Sequence, residues 1–249
     1  MFIPVGTEEH TPRQRFPVVT TAIVALNVLV FLVEVFVLYN GGEEALTVFI
    51  TAFGVVPAAV TTGQSLLIPF FLTPFTSMFV HGSLTHIGFN MLFLLAFGDN
   101  VEDRLGRWRY LLFYLLSGLV AAFAQIAVDP ASPIPSVGAS GAIAGVLAAY
   151  LVLFPKGRVR VFFFLGPLSH TTRISAVLFI GFWFVTQFFS GIGSLGVPTA
   201  ETGGVAYWAH IGGFDAGLVL VLVFRLFLSR RERVQAASQT HLLNEHTWR

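Results

Sequence analysis

The chain has 249 residues, 55% hydrophobic and 11% charged, with a mean hydropathy of +0.78. A soluble domain carries about 25% charged residues, so this chain has too little polar surface to face water all round, and lipid is its expected solvent. The absence of cysteine excludes disulfides, thiol nucleophiles and thiolate metal sites, and a net charge of +1 gives no sign of a nucleic-acid partner.

A helix needs about 20 mostly apolar residues to cross the hydrocarbon core. Residues 1–15 are polar and mixed in charge, and read as a cytoplasmic N-tail. The apolar run that follows is too long for the core of a cleaved signal and is the first predicted span, Phe16 to Tyr39. Residues 40–82 form a long outer loop with apolar runs, interrupted by Gly54, Pro57, Pro69 and Pro74. It is too broken for a span and is expected to form short helices and turns in the interface. A hidden seventh span near residues 48–60 is the alternative. The second span is Ser83 to Phe97, the third Trp108 to Val128 and the fourth Val137 to Phe154. The fifth is Ile174 to Ile192 and the sixth Val205 to Leu228, followed by a polar C-tail at 229–249. The predicted fold is all-α: one polytopic six-helix transmembrane domain over residues 16–228. The second and fourth spans are short, which a site open to water on one side would tolerate.

Orientation follows from the basic residues. With the N-terminus in the cytoplasm, all 14 Lys and Arg residues fall on segments assigned to the inside. The outer loops hold only acidic charges: Glu43, Glu44, Asp129 and Glu201. A wrong span count would scramble this partition. It therefore supports six spans, both termini inside, in a cell or inner membrane.

Polar groups in lipid are costly and are functional candidates by default. The outer ends of three spans hold an unusual set. The second opens His81-Gly82-Ser83, with Ser83 a plausible N-cap, and carries His86 and Asn90 four residues apart on one helix face. The fourth opens Gly138-Ala139-Ser140-Gly141, which puts Ser140 within a turn of a helix start, where backbone N–H groups are free. An oxyanion forming there would find donors in place. The sixth carries His210 about 9 Å below its outer end, at roughly 1.5 Å per residue, a depth comparable with Ser140 and His86. Gly141 and Gly145 on the fourth span, and Gly213 and Gly217 on the sixth, each form the GxxxG pattern that lets helices approach closely in lipid. Packing those faces together would bring Ser140 and His210 within hydrogen-bond reach, the geometry of a nucleophile and its base. The bland alternative is a polar packing network. Asp215 reads as a buried structural acid, about 140° round the helix from His210 and deeper, unsuited to orient its imidazole.

The order His-x4-His-x3-Asn, Gly-x-Ser-Gly, Ala-His-x2-Gly resembles the rhomboid intramembrane serine proteases, from the first span to the sixth. The match extends to Glu102 with Arg104-Leu105-Gly106, and to residues 155–161. The resemblance implies a Ser–His dyad, with Ser140 as nucleophile and His210 as base. It implies an oxyanion hole made of His86, Asn90 and the Ser140 N–H, and a structural role for His81 in the outer loop. The implied substrate is a transmembrane segment of another protein, cut near the outer surface, with no metal or cofactor. It further suggests a substrate gap between the second and fifth spans. The fifth is dense in aromatics: Phe179, Phe182, Trp183, Phe184, Phe188 and Phe189.

Two positions depart from the family pattern. The outer loop lacks the usual Trp-Arg pair, which leaves its docking open. Ala144 stands where many members have an aromatic stacked on the histidine, which points to Tyr207 or Trp208 as substitutes. Zinc and aspartyl intramembrane proteases are disfavoured, since HExxH is absent and only Asp215 is an intramembrane aspartate. A non-catalytic rhomboid-like binder of membrane helices is the rival reading. A transporter is the third, with slight support from Glu34 and Asp215. Nothing in the sequence sets the oligomeric state.

Overall fold

Apolar runs in this chain become helices because lipid offers no partner for a backbone N–H or C=O, and a helix satisfies both internally. The computed structural model describes residues 2–8, 16–164, 166, 169–195 and 205–226. Within these, α1 (Val18–Phe53) starts after Pro17 and runs 36 residues, broken at Gly42, whose φ of 71° bends the chain. Then come α2 (Pro57–Thr62), two single 3₁₀ turns flanking α3 (Thr73–Thr76), and α4 (Leu84–Leu105). The remaining helices are α5 (Arg107–Val128), α6 (Ser140–Leu153), α7 (Ala176–Gly193) and α8 (Tyr207–Leu226).

The innermost helix is α6, apolar on every side and buried from Gly141 to Tyr150. A helix hydrophobic all round belongs in the middle of a bundle, and α4, α5 and α8 surround it. Only Ala176, Ile180 and Gly191 of α7 are buried, and it leans chiefly on α8. Most apolar side chains of α1 and α7 point outward, as lipid-facing residues do.

The fold is mostly helical, not all-α. An antiparallel sheet in the order β1-β2-β3 joins Phe2–Glu8 to Arg158–Phe163 and His170–Ser175, with an irregularity between Pro4 and Gly6. In β2, buried Val159 and Val161 alternate with exposed Arg158 and Arg160, so one face packs on the helices and the other presents charge. The sheet lies at the C-terminal end of α4, where Thr7 Oγ1 donates to the Ala96 carbonyl (3.3 Å) and Asn100 Nδ2 donates to Thr7 Oγ1 (2.9 Å). Nearby, Glu102 accepts from the N–H groups of Val19 (2.9 Å) and Thr20 (2.7 Å) and from the Thr20 hydroxyl (2.8 Å). It thereby caps α1 with a carboxylate where free N–H groups favour an anion. Glu102, the sheet and the start of α1 share the end of the bundle opposite to Ser140.

Among the described residues, four helices are long and apolar enough to cross a membrane: α1, α5, α7 and α8. Residues 70–79 together with α4 make a fifth, bent by 79°. With 14 residues, α6 is about 21 Å long, short of a hydrocarbon core of about 30 Å. The first span also continues past Tyr39 to Phe53, so part of the expected outer loop is helix. The rest of that loop is short helices and turns. The tail at 229–249 and residues 9–15 lie outside the described residues.

Candidate active site

The segment leading into α6 is fixed from the outer loop. Val55 and Ser136 exchange both backbone hydrogen bonds (2.9 and 2.7 Å), and the Gly138 N–H donates to the Ser77 carbonyl (2.8 Å). This loop docks through its backbone, without the Trp-Arg pair. Gly138 has a φ of 116°, and a Cβ there would stand 2.6 Å from His86 Nε2, so only glycine fits. The chain then turns through Ala139, and Ser140 is the first residue of α6. Its N–H has no carbonyl one turn back within the helix to bind.

The glycines of α6 and α8 meet face to face. A Cβ on Gly213 would overlap the backbone of Gly141, and one on Gly217 the backbone of Gly145. Contact this close sets the two outer ends side by side. Ser140 Oγ lies 2.8 Å from His210 Nε2, and the other ring nitrogen, Nδ1, lies 2.7 Å from Gln187 Oε1 on α7. Trp183, one turn before Gln187, sits beside the same ring with centroids 5.8 Å apart and planes tilted by 39°. Ala144 is wholly buried and contributes no ring.

From the third side, α4 presents His86 and Asn90 toward Gly138, two residues before the serine. Ser83 caps the helix, its hydroxyl accepting from the His86 N–H (3.2 Å). His86 Nδ1 donates to the His81 carbonyl (2.8 Å). A carbonyl only accepts, so the neutral ring presents a lone pair at Nε2, and that nitrogen donates only when the ring is protonated. The Asn90 side chain is buried, and its Nδ2 has no hydrogen-bond partner among the described residues. His81 packs edge-on against His86, with centroids 5.1 Å apart. The turn holding His81 is itself clamped by Glu34 of α1, whose carboxylate accepts from the N–H groups of His81 (2.9 Å) and Gly82 (2.6 Å).

The family profile described as the rhomboid domain matches residues 71–227. The chain belongs to the rhomboid family. It is 31% identical over 217 residues to the rhomboid protease GluP of Bacillus subtilis, covering 87% of this chain and 37% of that protein. It is 31% identical to the rhomboid-type serine protease 2 of Emericella nidulans, over 66% of this chain and 29% of the relative. It is 37% identical over 89 residues to the mitochondrial presenilin-associated rhomboid-like protein of Bos taurus, covering 35% of this chain and 24% of the relative. The chain thus spans well under half the length of these curated relatives. Family membership and the apolar helices make it an integral membrane protein.

Within this rhomboid fold, Ser140, His210, His86, Asn90, Gly138, Gly141, Gly213 and Gly217 come together, and His81 stands behind His86. Three expectations are corrected. Asp215 is exposed on the outer face of α8 and is not a buried acid. Trp183 is the ring beside His210, tilted against it, in place of Tyr207 or Trp208. Glu34 clamps a turn of the site, which removes its support for a transport role. Two residues went unread as site residues: Glu34 and Gln187. Each is a strongly polar group inside an apolar helix, a signal that marks function in lipid.

The aromatics of α7 divide by face. Phe179 stacks on Phe93 and Phe97 of α4, with centroids 6.2 and 6.5 Å apart, and Phe184 stacks on Phe214 of α8 at 4.2 Å. Phe182, Phe188 and Phe189 are exposed.

Proposed function

We propose that this rhomboid protein is an intramembrane serine endopeptidase that cuts transmembrane segments of other membrane proteins near the outer surface. The observation that carries the reading is the 2.8 Å approach of Ser140 Oγ to His210 Nε2 at the ends of two helices locked by glycine contacts. In the reaction, His210 takes the hydroxyl proton as Ser140 Oγ attacks the scissile carbonyl carbon. The tetrahedral oxyanion is held by Asn90 Nδ2 and the Ser140 N–H, with His86 as a third donor when protonated. Collapse breaks the C–N bond, and the proton on His210 passes to the leaving amine. Water, deprotonated by His210, then hydrolyses the acyl-serine and returns the hydroxyl.

Substrate enters sideways from lipid through the seam between α4 and α7, where Phe93 and Phe97 pack against Phe179. The charge partition supports six crossings in a cell membrane with both termini inside, α6 being the short inner one. The test is cleavage of a transmembrane substrate reconstituted with the protein in liposomes, with the product mapped by mass spectrometry. The expected result is one cut near the outer end of the substrate helix, abolished in Ser140→Ala. Binding of the substrate without any cut overturns the reading in favour of a non-catalytic helix binder.

A further inference from the structure

His210 is held by α7 through a hydrogen-bond chain that has only one possible direction. The Thr186 hydroxyl lies 2.6 Å from the Trp183 backbone carbonyl, which can only accept, so the hydroxyl proton points there. Thr186 Oγ1 is then an acceptor, and the Gln187 Nε2 amide beside it at 3.4 Å donates to it. This orients the Gln187 amide, leaving its oxygen toward His210 Nδ1 at 2.7 Å. An amide oxygen only accepts, so Nδ1 carries the proton. Nε2 therefore presents its lone pair to the Ser140 hydroxyl at 2.8 Å. A backbone carbonyl at one end fixes the protonation of the ring at the other.

We infer that Gln187 is a positioning residue for the proposed hydrolysis: from α7 it fixes His210 in the tautomer that makes Nε2 the base. This rests on the reading of Ser140 and His210 as nucleophile and base. An imidazole alone in an apolar site is free to carry its proton on either nitrogen, and only one of the two forms accepts from serine. A ring in the wrong tautomer loses catalysis even when its position is kept. Trp183 steadies the ring from the same face of α7. With Ala144 supplying no ring from α6, α7 provides both the Nδ1 partner and the neighbouring ring, while α6 provides the Ser140 hydroxyl at Nε2. His86 on α4 is the titratable group that faces His210 across the site.

The inference is tested on the full chain in detergent with Gln187→Leu and Gln187→Glu. Two readouts are used: the rate of labelling by a fluorophosphonate as a function of pH, and the ¹⁵N shifts of the His210 ring. Gln187→Leu is expected to label at least about tenfold more slowly and to show a mixture of ring tautomers, whereas the wild type shows Nδ1–H. Gln187→Glu still accepts from Nδ1. It is expected to label, with the acid limb of its profile moved up by about one pH unit or more, because a carboxylate stabilises the imidazolium. Should Gln187→Leu fail to fold, the shifted limb of Gln187→Glu carries the test. Wild-type labelling with an unmoved limb in Gln187→Glu, or an Nε2–H ring in the wild type, overturns the inference. A wild type that shows the Nδ1–H ring but never labels contradicts the hydrolase reading instead and leaves the tautomer assignment standing.

Discussion

Replacing Gly213 by alanine perturbs the glycine contact nearest to the nucleophile and base. The new Cβ would lie 2.8 Å from the carbonyl carbon of Gly141 and closer still to its oxygen. Ordinary carbon–carbon contact is about 3.5–4.0 Å, so α6 and α8 must part by about 1 Å at this level. Ser140 adjoins Gly141 and His210 lies one turn before Gly213, so their 2.8 Å contact opens with the helices. At about 3.8 Å no O–H donor reaches its acceptor. A misplacement of about 1 Å lowers a rate by about 10²-fold, while overpacking destabilises by about 1–3 kcal/mol. The assay is the fluorophosphonate labelling rate alongside thermal unfolding, with Gly181→Ala as the control, since a Cβ there meets nothing within 4 Å. Gly213→Ala is expected to lose about two orders of magnitude in rate while remaining folded, and Gly181→Ala to match the wild type. A folded Gly213→Ala labelling at the wild-type rate would refute the argument that glycine contact sets the dyad geometry.

Asn90→Ala removes a buried donor with no other partner among the described residues, and is expected to slow substrate cleavage by about 10²–10³-fold without unfolding the protein; cleavage at the wild-type rate would remove Asn90 from the oxyanion site. The two buried carboxylates are expected to separate in their effects. Glu34→Ala frees the turn behind His86 and lowers the labelling rate, whereas Glu102→Ala uncaps α1 at the far end and lowers the melting temperature while labelling per folded molecule is unchanged. Equal effects on labelling would contradict the assignment of Glu34 to the site. His210 works as a base only when neutral, so activity is retained on the alkaline side and lost on acidification as the ring gains its second proton. Labelling of folded protein followed downward from about pH 8 reads this, and a rate that rises on acidification would exclude a neutral His210 base.

The helical bundle and the ends that form the site were legible because lipid imposes strong signals. Apolar runs marked the helices, GxxxG marked the faces of α6 and α8, and His86, Asn90, Ser140 and His210 stood out as polar groups at one depth. The sheet was harder to read. Its central strand, Arg158-Val-Arg-Val-Phe-Phe, carries the two-residue alternation of a half-buried strand, but its partners lie in the N-tail and beyond a turn, so the run looked like a basic loop. Gln187 was hidden among the phenylalanines of α7, since nothing local says which face of a lipid-exposed helix meets a histidine 23 positions away. Glu34 met a backbone 47 residues on, a partner that carries no side-chain signature at all. The fourth span was read as short, and α6 is: its burial among neighbouring helices removes any need for it to meet lipid at both ends.

The most direct measurement is fluorophosphonate labelling of the purified protein, with the adduct mapped to its residue, beside Ser140→Ala and His210→Ala. The account requires a single phosphonate on Ser140 of the wild type and none on either variant. A folded wild type that stays unlabelled, or a Ser140→Ala protein that labels equally, would contradict it.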